Sequence, residues 1–376
     1  MKKSLVALAA LAATSAFAQF SIDGVMDAGI GSINYKGTSV SGVYNNGSST
    51  SQINFRGNHD LGGGMKADFR VETDWNTVVN AGNTGNVPSA ATTASGTGTP
   101  ADATYTTTLS GGAASTFGNG EIRTGLATSF GRFDLGAVNY TTLDATLAGQ
   151  PFGTAIGSGF RTLYVNDAQA TSQVRAGNSL KYTSPVMNGL SLTLYNSSKQ
   201  TKAAGTNFST SYGAYEQIGV KEAGVKYSNG PINAVYVQLK QDNAGVGTGT
   251  TVDTVSTLAA NYTFGASKVM LLNQTNKNDA SASARNNKTT TVSGTHTIGA
   301  FTLMLQSGNT QNSSGAKSNF TGLGADYALS KMANIYFRSE KNTNGGGTVA
   351  AALTPTAING SGSNFDRSAL GLRVAF

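Results

Sequence analysis

Charged side chains occur at every second position in several short stretches of the chain. In the clearest stretch, residues 66–74, the charged ladder consists of Lys66, Asp68, Arg70, Glu72 and Asp74. A β-strand sends alternate side chains to opposite faces, so these groups share one face and the mostly apolar residues between them share the other. Opposed charges of this kind can pair with one another and set up an electric field in the adjacent water. The pattern therefore predicts a strand with one wet face and one apolar face.

The same alternation assigns further polar groups to a wet face. They are Gln52, Asn54, Arg56, Glu121, Arg123, Lys181, Asn334, Arg338 and Glu340. The intervening positions are largely apolar, as at Ile335 and Phe337. A charge that faces hydrocarbon at mid-membrane costs ~2–4 kcal/mol, so these ladders must face water if the strands cross a membrane. The stretch 231–240 alternates poorly, and the sequence does not orient it.

Residue types suited to catalysis or metal binding are scarce. The chain has no cysteine and two histidines; His59 falls in a predicted tight turn, and His296 shares the parity of apolar neighbours. No Gly-x-Ser-x-Gly sequence occurs, and the glycine turn at 62–64 is not followed by the Lys-Ser/Thr of a phosphate-binding loop. There is no basic run with interleaved aromatic residues of the kind that binds nucleic acid. We therefore expect no enzyme activity, no cofactor, no metal site and no nucleic-acid partner.

The two ends of the chain indicate export and membrane insertion. A basic start, a short apolar run and a small-residue cleavage site predict a secretory signal peptide over residues 1–18. Apolar residues alternate up to Phe376, as the closing strand of a transmembrane barrel requires, because no strand edge can stay unpaired in lipid. We expect one domain over 19–376, with Phe376 serving barrel closure and acting as an assembly signal.

Turn residues and polar stretches divide the chain into strands joined by alternately tight and long connections. Seven predicted tight turns lie at 60–64, 130–132, 185–189, 229–231, 264–267, 299–300 and 329–332. Eight longer stretches lie at about 34–48, 78–116, 142–177, 199–214, 243–251, 277–287, 310–318 and 343–363. These fifteen connections imply sixteen strands, and the contrast of short turns with long loops is typical of outer-membrane barrels. Aromatic residues cluster beside the tight turns, which predicts an interfacial girdle at that end.

Composition agrees with an all-β transmembrane barrel. Only 12% of residues are charged, and after residue 18 no stretch has the 18 consecutive apolar residues of a membrane-spanning helix. In a barrel only alternate residues meet lipid, so the chain can remain polar overall. The formal net charge is +7, or +5 without Lys2 and Lys3. A small positive bias of this kind favours anions in a pore.

Six segments together carry a specific resemblance. They are Ile53 to Glu72, Gly125 to Gly131, Asn178 to Pro185, Tyr227 to Pro231, Gly324 to Lys331, and Gly371 to Phe376. In this order they resemble the general trimeric porins of Gram-negative bacteria, especially the β-proteobacterial type. The resemblance implies a 16-stranded antiparallel barrel in the outer membrane, assembled as a homotrimer in contact with membrane lipid and lipopolysaccharide. It also implies a water-filled channel for passive diffusion of small hydrophilic solutes and ions.

The resemblance further implies that the third long loop, about 142–177, folds inward and narrows the pore. In the family, acidic groups on this loop face basic groups on the wall, and the field between them influences selectivity. The residues expected to line the pore and its constriction are Gln52, Arg56, Asp68, Arg70, Glu72, Arg123, Asp144, Arg161, Arg175, Lys181 and Arg338.

The chain departs from the family pattern in its charges. Gln52 and Ala137 stand where many relatives have arginine, and an inward Ala137 would need a β-bulge because it shares the parity of apolar residues. The loop offers few acidic groups, Asp144 among them. We therefore expect a weakly charged constriction and a weakly anion-leaning channel. Arg175→Ala is expected to lower anion preference more than Arg338→Ala, because Arg175 lies beside the narrowing loop.

Two alternatives stay open at this point. The barrel could act mainly through its surface loops, as an adhesin, a phage receptor or an envelope anchor. The long loop 78–116 could reach into a neighbouring subunit and steady the trimer, or it could be a mobile surface loop.

Overall fold

The computed structural model describes residues 19–35, 38–75, 86–95, 104–111, 117–160, 163–164, 174–199, 219–242, 252–278, 286–313, 315–344 and 364–376. Within these ranges the chain forms nineteen β-strands and one short α-helix, α1. Nowhere in them is a helix both long and apolar enough to traverse a membrane. The predicted signal peptide, 1–18, lies outside the described residues.

The strands follow one another closely in sequence. They are β1 Gln19–Tyr35, β2 Thr38–Asn45, β3 Gln52–Gly62, β4 Met65–Asp74, β5 Asn86–Ser95, β6 Thr104–Gly111, β7 Ile122–Thr128, β8 Gly131–Asn139, β9 Arg175–Thr183, β10 Leu190–Ser197, β11 Gly219–Asn229, β12 Ile232–Asp242, β13 Val252–Phe264, β14 Ser267–Asn278, β15 Asn287–Ile298, β16 Phe301–Asn312, β17 Lys317–Ala328, β18 Ala333–Asn344 and β19 Phe365–Ala375. Helix α1, Thr141–Ala148, follows β8.

Seventeen of these strands form one antiparallel sheet. Both β2 and β3 pair with β1, β2 along Ala28–Tyr35 and β3 along Gln19–Val25, so they occupy one position in the sheet. The sheet therefore has the sixteen positions that the sequence predicts. Strands β5 and β6 form a separate hairpin.

The sheet closes into a barrel between its first and last strands. β1 pairs with β19 from Val25↔Ala375 to Tyr35↔Phe365. Beyond this register the Gly24 amide donates to the Phe376 carbonyl at 3.0 Å, and the Phe376 amide donates to the Gly24 carbonyl at 3.1 Å. The seam therefore presents no open strand edge, as a sheet embedded in lipid requires.

The outer and inner faces of the barrel differ in chemical character. Outward side chains such as Phe20, Ile30 and Leu305 are large, apolar and exposed, whereas inward polar groups such as Asp27 and Asn54 are buried. The ladders predicted in 52–56, 66–74, 121–123 and 334–340 have the orientation that alternation indicates. Apolar groups on the outside and polar groups inside are the arrangement of a membrane barrel around water.

Strand β12 shows why 231–240 resists orientation from sequence. Its outward face exposes Ile232 and Tyr236, but its inward face carries Val235, Val237 and Leu239, which are also apolar and buried. These inward side chains pack against the segment that follows β8. Both faces are therefore apolar, and parity alone gives no signal.

The seven tight turns are confirmed, but some long connections differ from expectation. Left-handed backbone at Gly62, Asn188 and Gly299 supports the turn assignments. The predicted loop 34–48 is wrong, because β1 continues to Tyr35 and β2 begins at Thr38; the break lies at 46–51 instead. β-branched and aromatic residues over 38–44, among them Val40, Val43 and Tyr44, favour a strand here.

Two further loop predictions change in detail. The stretch 78–116 contains the β5–β6 hairpin, whose Thr-rich strands pair from Ala90↔Leu109 to Ser95↔Thr104.

The third long connection spans 140–174 and not 142–177, because Arg175 begins β9. A β-bulge interrupts the pairing of β8 with β9 beside Ala137. Between the pairs Gly136↔Ser179 and Val138↔Ala176, β9 has two residues where β8 has one, Ala137. The bulge leaves Val138 buried on the inner face, so Ala137 keeps its outward parity.

Candidate functional site

The segment after β8, residues 140–164, begins with a helix anchored to the inner wall. The buried carboxylate of Glu222 on β11 accepts hydrogen bonds from the Thr141 amide at 2.6 Å, the Thr142 amide at 2.9 Å and the Thr142 hydroxyl at 2.6 Å. These amides are among the unpaired donors of the first turn of α1, and a carboxylate there also complements the helix dipole. Glu222 therefore fixes where the segment enters the barrel.

The remainder of the segment follows the inner wall from β13 to β18. Asn261 donates to the Ala148 carbonyl at 3.0 Å, and Ser293 donates to the Gly149 carbonyl at 3.0 Å. Farther along, Gln306 donates to the Ser158 carbonyl at 3.0 Å, and the Gly157 amide donates to Glu340 at 2.7 Å. These contacts join the segment to strands that are far apart in sequence. They place it against the inner faces of half the barrel.

Apolar contacts reinforce the polar anchors. Phe160 packs in a buried cluster with Val220, Leu239 and Val255 of the wall. A second cluster joins Ala145, Leu163 and Tyr164 to Val235, Val237, Ala259, Leu272 and Phe320. Burial raises the pKa of the Tyr164 hydroxyl, which is hydrogen-bonded to Thr291 at 2.9 Å and to Gln306 at 2.7 Å. The segment is thus packed against the wall along most of its described length.

Opposite these anchors, the inner wall of β1 to β9 carries a network of ion pairs. It contains five arginines, Arg56, Arg70, Arg123, Arg132 and Arg175, and five carboxylates, Asp23, Asp68, Glu72, Glu121 and Asp134. Representative contacts are Arg123 to Asp68 at 2.5 Å and Arg70 to Glu121 at 2.7 Å. Equal numbers of opposite charges cancel most of the field that either set would produce alone.

Arg175 is one of the more loosely paired members of this network. Its guanidinium lies 3.5 Å from Glu72, and its Nε donates to Asn139 at 2.9 Å, just before α1. Its side chain is 16% exposed, whereas that of Arg338 across the barrel is 4% exposed. Arg338 pairs with Asp326 at 2.9 Å, donates to Ser48 at 3.0 Å and lies over the Phe152 ring. Both arginines therefore adjoin the 140–164 segment.

Asp144 is the carboxylate that α1 turns toward the wall. It pairs with Lys226 of β11 and lies 3.5 Å from Lys181 of β9. Lys181 also donates to the Asn139 carbonyl at 3.0 Å. Two ammonium groups therefore share this partly exposed carboxylate, and the buried carboxylate of Glu222 lies under the same helix. Through Asp144, the described part of α1 forms ion pairs with the barrel wall.

The structure brings most of the predicted site residues together on the inner face. Arg56, Asp68, Arg70, Glu72, Arg123 and Arg175 belong to the ion-pair network; Gln52 lies beside it on β3; Asp144 and Lys181 meet; and Arg338 lies on the facing wall. Arg161 lies outside the described residues. Sequence analysis missed Glu222, Lys226 and Arg132. The first two alternate with outward Ala223 and Val225, so parity along 219–229 could have found them.

Comparison with known proteins agrees with this architecture. A sequence model of Gram-negative porins matches residues 4–347. The chain is 33% identical over 283 residues to outer membrane porin protein 32 of Delftia acidovorans, which covers 73% of this chain and 70% of that protein. An anion-selective porin from Comamonas acidovorans superposes with a TM-score of 0.70 at 22% identity, covering 96% of this chain and 100% of that one. The trimer form of OmpT from Vibrio cholerae gives a TM-score of 0.62 at 14% identity, covering 96% and 99%.

Proposed function

Because the chain belongs to the Gram-negative porin family and is an outer-membrane porin channel, we propose that it passes small hydrophilic solutes and ions with only a weak preference for anions. Porins act as channels and not as enzymes. The observation that carries the proposal is the balance of five arginines and five carboxylates on one wall of the lumen. A pore wall without a large charge excess discriminates weakly between ions of opposite sign.

The lean toward anions rests on the contact between α1 and the wall. Asp144 meets two lysines, Lys181 and Lys226, so the charge left over at this point is positive. Glu222, the other nearby carboxylate, accepts hydrogen bonds from the Thr141 and Thr142 amides, and the positive end of the helix dipole offsets part of its charge. The similar porin from Comamonas acidovorans is described as anion-selective, which supports the same sign here. The segment 140–164 serves in this proposal as the constriction.

The proposed assembly is a homotrimer embedded in outer-membrane lipid and lipopolysaccharide. The similarity to OmpT of Vibrio cholerae, a structure described as a trimer form, supports this assembly. Each subunit would hold its own channel, because the barrel closes on itself through β1 and β19.

The test is incorporation of the purified protein into a planar bilayer. We expect stepwise conductance increases in groups of three, and a small reversal potential of anionic sign in a salt gradient. Strong cation preference would contradict the proposed selectivity. Single conductance steps would contradict the trimer. An intact barrel without conductance would contradict the channel and favour action through the surface loops.

A further inference from the structure

A six-residue turn separates β2 from β3 within their shared position in the sheet. β2 ends opposite Ala28 of β1, and β3 begins opposite Val25. The six residues 46–51 therefore stand opposite only two residues of β1. An ordinary β-bulge adds one residue to a strand, so a surplus of this size has to leave the sheet. We call residues 46–51 the inner turn, because its contacts place it inside the barrel.

The buried carboxylate of Asp27 on β1 holds the inner turn against the wall. It accepts hydrogen bonds from the Gly47 amide at 3.2 Å, the Ser48 amide at 2.8 Å and the Ser49 amide at 2.7 Å. Successive backbone amides that converge in this way form a nest that favours a negative group. Asp27 is an inward residue with no exposed surface, so the inner turn lies over the inner face and away from lipid.

Two side chains close the base of the inner turn. The Ser51 amide donates to the side-chain oxygen of Asn46 at 2.7 Å, and Asn46 has left-handed backbone with φ 59°. The Asp27 amide donates to the Ser51 hydroxyl at 2.9 Å, and that hydroxyl donates to the Asp27 carbonyl at 3.2 Å. Ser51 thus pairs with backbone groups of β1 that lose their strand partner at the break.

Tyr336 of β18 fixes the inner turn from the other side of the barrel closure. Its hydroxyl donates to the Asp27 carboxylate at 2.6 Å, and its ring is fully buried. The hydroxyl lies over Gly371 of β19, where a Cβ would overlap it, and a Cβ at Gly47 would overlap it too. The inner turn is therefore held by β1 and by β18, across β19.

The hydroxyl groups of the inner turn lie against two arginines of the same wall. Ser48 accepts a hydrogen bond from Arg338 of β18 at 3.0 Å, and Ser49 accepts one from Arg373 of β19, also at 3.0 Å. Each serine keeps its own hydroxyl hydrogen for another acceptor. Ser48, Ser49 and Thr50 are all partly exposed, so the inner turn presents neutral hydroxyl groups to the lumen.

The inner turn also touches the 140–164 segment. The hydroxyl oxygens of Thr50 and Thr154 lie 3.3 Å apart, within hydrogen-bonding distance. The segment follows the inner wall as far as β18, where the Gly157 amide donates to Glu340. The inner turn continues from β18 to β1, where the wall with the ion-pair network begins. Segment, inner turn and charged wall thus follow one another around the lumen.

We propose that the inner turn is a second element of the constriction and that Asp27 is its positioning residue. The aperture is then a ring of three parts, namely the 140–164 segment, the inner turn and the wall with the ion-pair network. Two separately anchored pieces, in contact at Thr50 and Thr154, set the largest solute that passes. The neutral hydroxyl edge of the inner turn suits solutes that form hydrogen bonds without charge. This inference rests on the proposed role of the 140–164 segment as the constriction.

The first test is a disulfide across the contact, in a chain that has no cysteine of its own. Thr50→Cys/Thr154→Cys places two thiols where hydroxyl oxygens lie 3.3 Å apart, so the folded protein should form a disulfide under mild oxidation. In the control, Thr50→Cys/Thr302→Cys, the second thiol is on an inward residue of β16 beside a tight turn, and it should stay reduced. Non-reducing gels of the denatured chain detect the bond without any measurement of current.

The second test measures the rate of the same disulfide when Asp27 is altered. Asp27→Asn replaces one accepting oxygen by a donor, so the nest of amides loses part of its partner. We expect the disulfide to form several-fold more slowly in the folded fraction. Asp23→Asn, on the same inward face of β1 but paired with Arg56, is the matched control and should leave the rate unchanged. A purely structural role of Asp27 in folding would alter the yield of barrel and not this rate.

The third test asks whether the inner turn borders the aperture. The single variants Thr50→Cys and Thr302→Cys are labelled with sulfonatoethyl methanethiosulfonate, and their conductance is recorded in planar bilayers. We expect labelled Thr50→Cys to lose about half of its conductance or more, because added bulk matters most where a pore is narrowest. Labelled Thr302→Cys should conduct nearly as before.

Each test has a result that would overturn the proposal. Folded Thr50→Cys/Thr154→Cys without a disulfide, or an equal yield in its control pair, would contradict the ring. Unchanged conductance of fully labelled Thr50→Cys would exclude the inner turn from the aperture. An unchanged disulfide rate with Asp27→Asn would contradict its positioning role. Conductance and reversal potential of the unaltered protein test the proposed function separately, so the two failures are distinguishable.

Discussion

Asp144 holds a position where one charge should influence permeation strongly. It is the carboxylate of α1 that meets Lys181 and Lys226, and its side chain is 36% exposed. Parity predicts that Lys181 faces inward, but it cannot predict that Lys226, on a strand far along the sequence, meets the same carboxylate. That contact depends on how the segment after β8 crosses the wall.

Asp144→Asn should make the channel more anion-selective. The substitution keeps the shape of the side chain but leaves Lys181 and Lys226 without a carboxylate between them. A unit charge about 4 Å away in water is worth ~1 kcal/mol, so we expect the anion-to-cation permeability ratio to rise roughly two- to fivefold at low salt. Reversal potentials in a salt gradient measure this ratio.

Asp60→Asn is the matched control for this change. Asp60 lies at the β3–β4 turn and accepts a hydrogen bond from the Gly62 amide at 2.9 Å, which asparagine can also accept. It should leave selectivity nearly unchanged. An equal shift in both variants, or a shift toward cations in Asp144→Asn, would contradict the assigned role.

Arg175→Ala should lower anion preference more than Arg338→Ala. The reason inferred from sequence, proximity to the narrowing loop, does not separate the two, because Arg338 lies over Phe152 of the same segment. Exposure does separate them, since the side chain of Arg175 is more exposed than that of Arg338. The guanidinium of Arg175 also lies farther from its carboxylate partner, at 3.5 Å from Glu72, than that of Arg338, at 2.9 Å from Asp326. Reversal potentials of the two variants at low salt provide the comparison, and equal shifts would refute it.

At the scale of elements, alternation predicts strands well and their partners poorly. The ladders at 66–74 and 334–340 are oriented correctly from parity because one face is wet and the other meets lipid. Parity fails at β12, where the inner face is covered by the 140–164 segment. It also fails to predict that Arg132 pairs with Asp68, 64 residues away, because this contact needs the register of β4, β7 and β8.

The position of the 140–164 segment depends on a glycine of the wall. A Cβ at Gly322 of β17 would lie 2.1 Å from the Gly157 carbonyl oxygen, so the backbone of the segment approaches the wall as closely as a hydrogen side chain allows. The sequence does not predict this contact, because a glycine in a strand can also mark a bulge or a bend.

Gly322→Ala should push the segment away from the wall and toward the pore axis. We expect lower single-channel conductance and larger current fluctuations, while the strands themselves stay paired. Planar-bilayer recordings measure both quantities, and circular dichroism checks the β content.

Gly294→Ala provides the control for a strand glycine. A Cβ at Gly294 would lie 3.3 Å from the Lys268 carbonyl oxygen on the lipid-facing side and would meet nothing of the segment. Its conductance should match the unaltered protein. Unchanged conductance in Gly322→Ala would show that the segment does not depend on this contact.

At the scale of the whole molecule, closure is the property on which both faces depend. Sixteen positions pair in a ring, so the described apolar side chains of one face lie on the outside of the barrel and the polar side chains of the other face point to the lumen or to the 140–164 segment. The number of strands and the tight turns are predictable from sequence because turns have strong residue signals. The break at 46–51 is not, because it arises where Asp27 accepts hydrogen bonds from the Gly47, Ser48 and Ser49 amides of a distant segment.

Phe376→Ala should impair closure more than loss of an aromatic residue elsewhere on the girdle. The Phe376 backbone pairs with Gly24, and its ring lies over Gly24, where a Cβ would come within 2.5 Å of it. The ring is 49% exposed, and Phe301, packed on Tyr327 beside another tight turn, is 50% exposed, so Phe301→Ala removes a comparable ring from the interface. We expect Phe376→Ala to fold into detergent micelles or lipid several-fold more slowly than Phe301→Ala, because only Phe376 also covers the seam between β1 and β19. Heat-dependent mobility on gels measures the folded fraction with time. Equal folding rates of the two variants would mean that closure depends on the strand backbone alone and that Phe376 contributes only as a girdle residue.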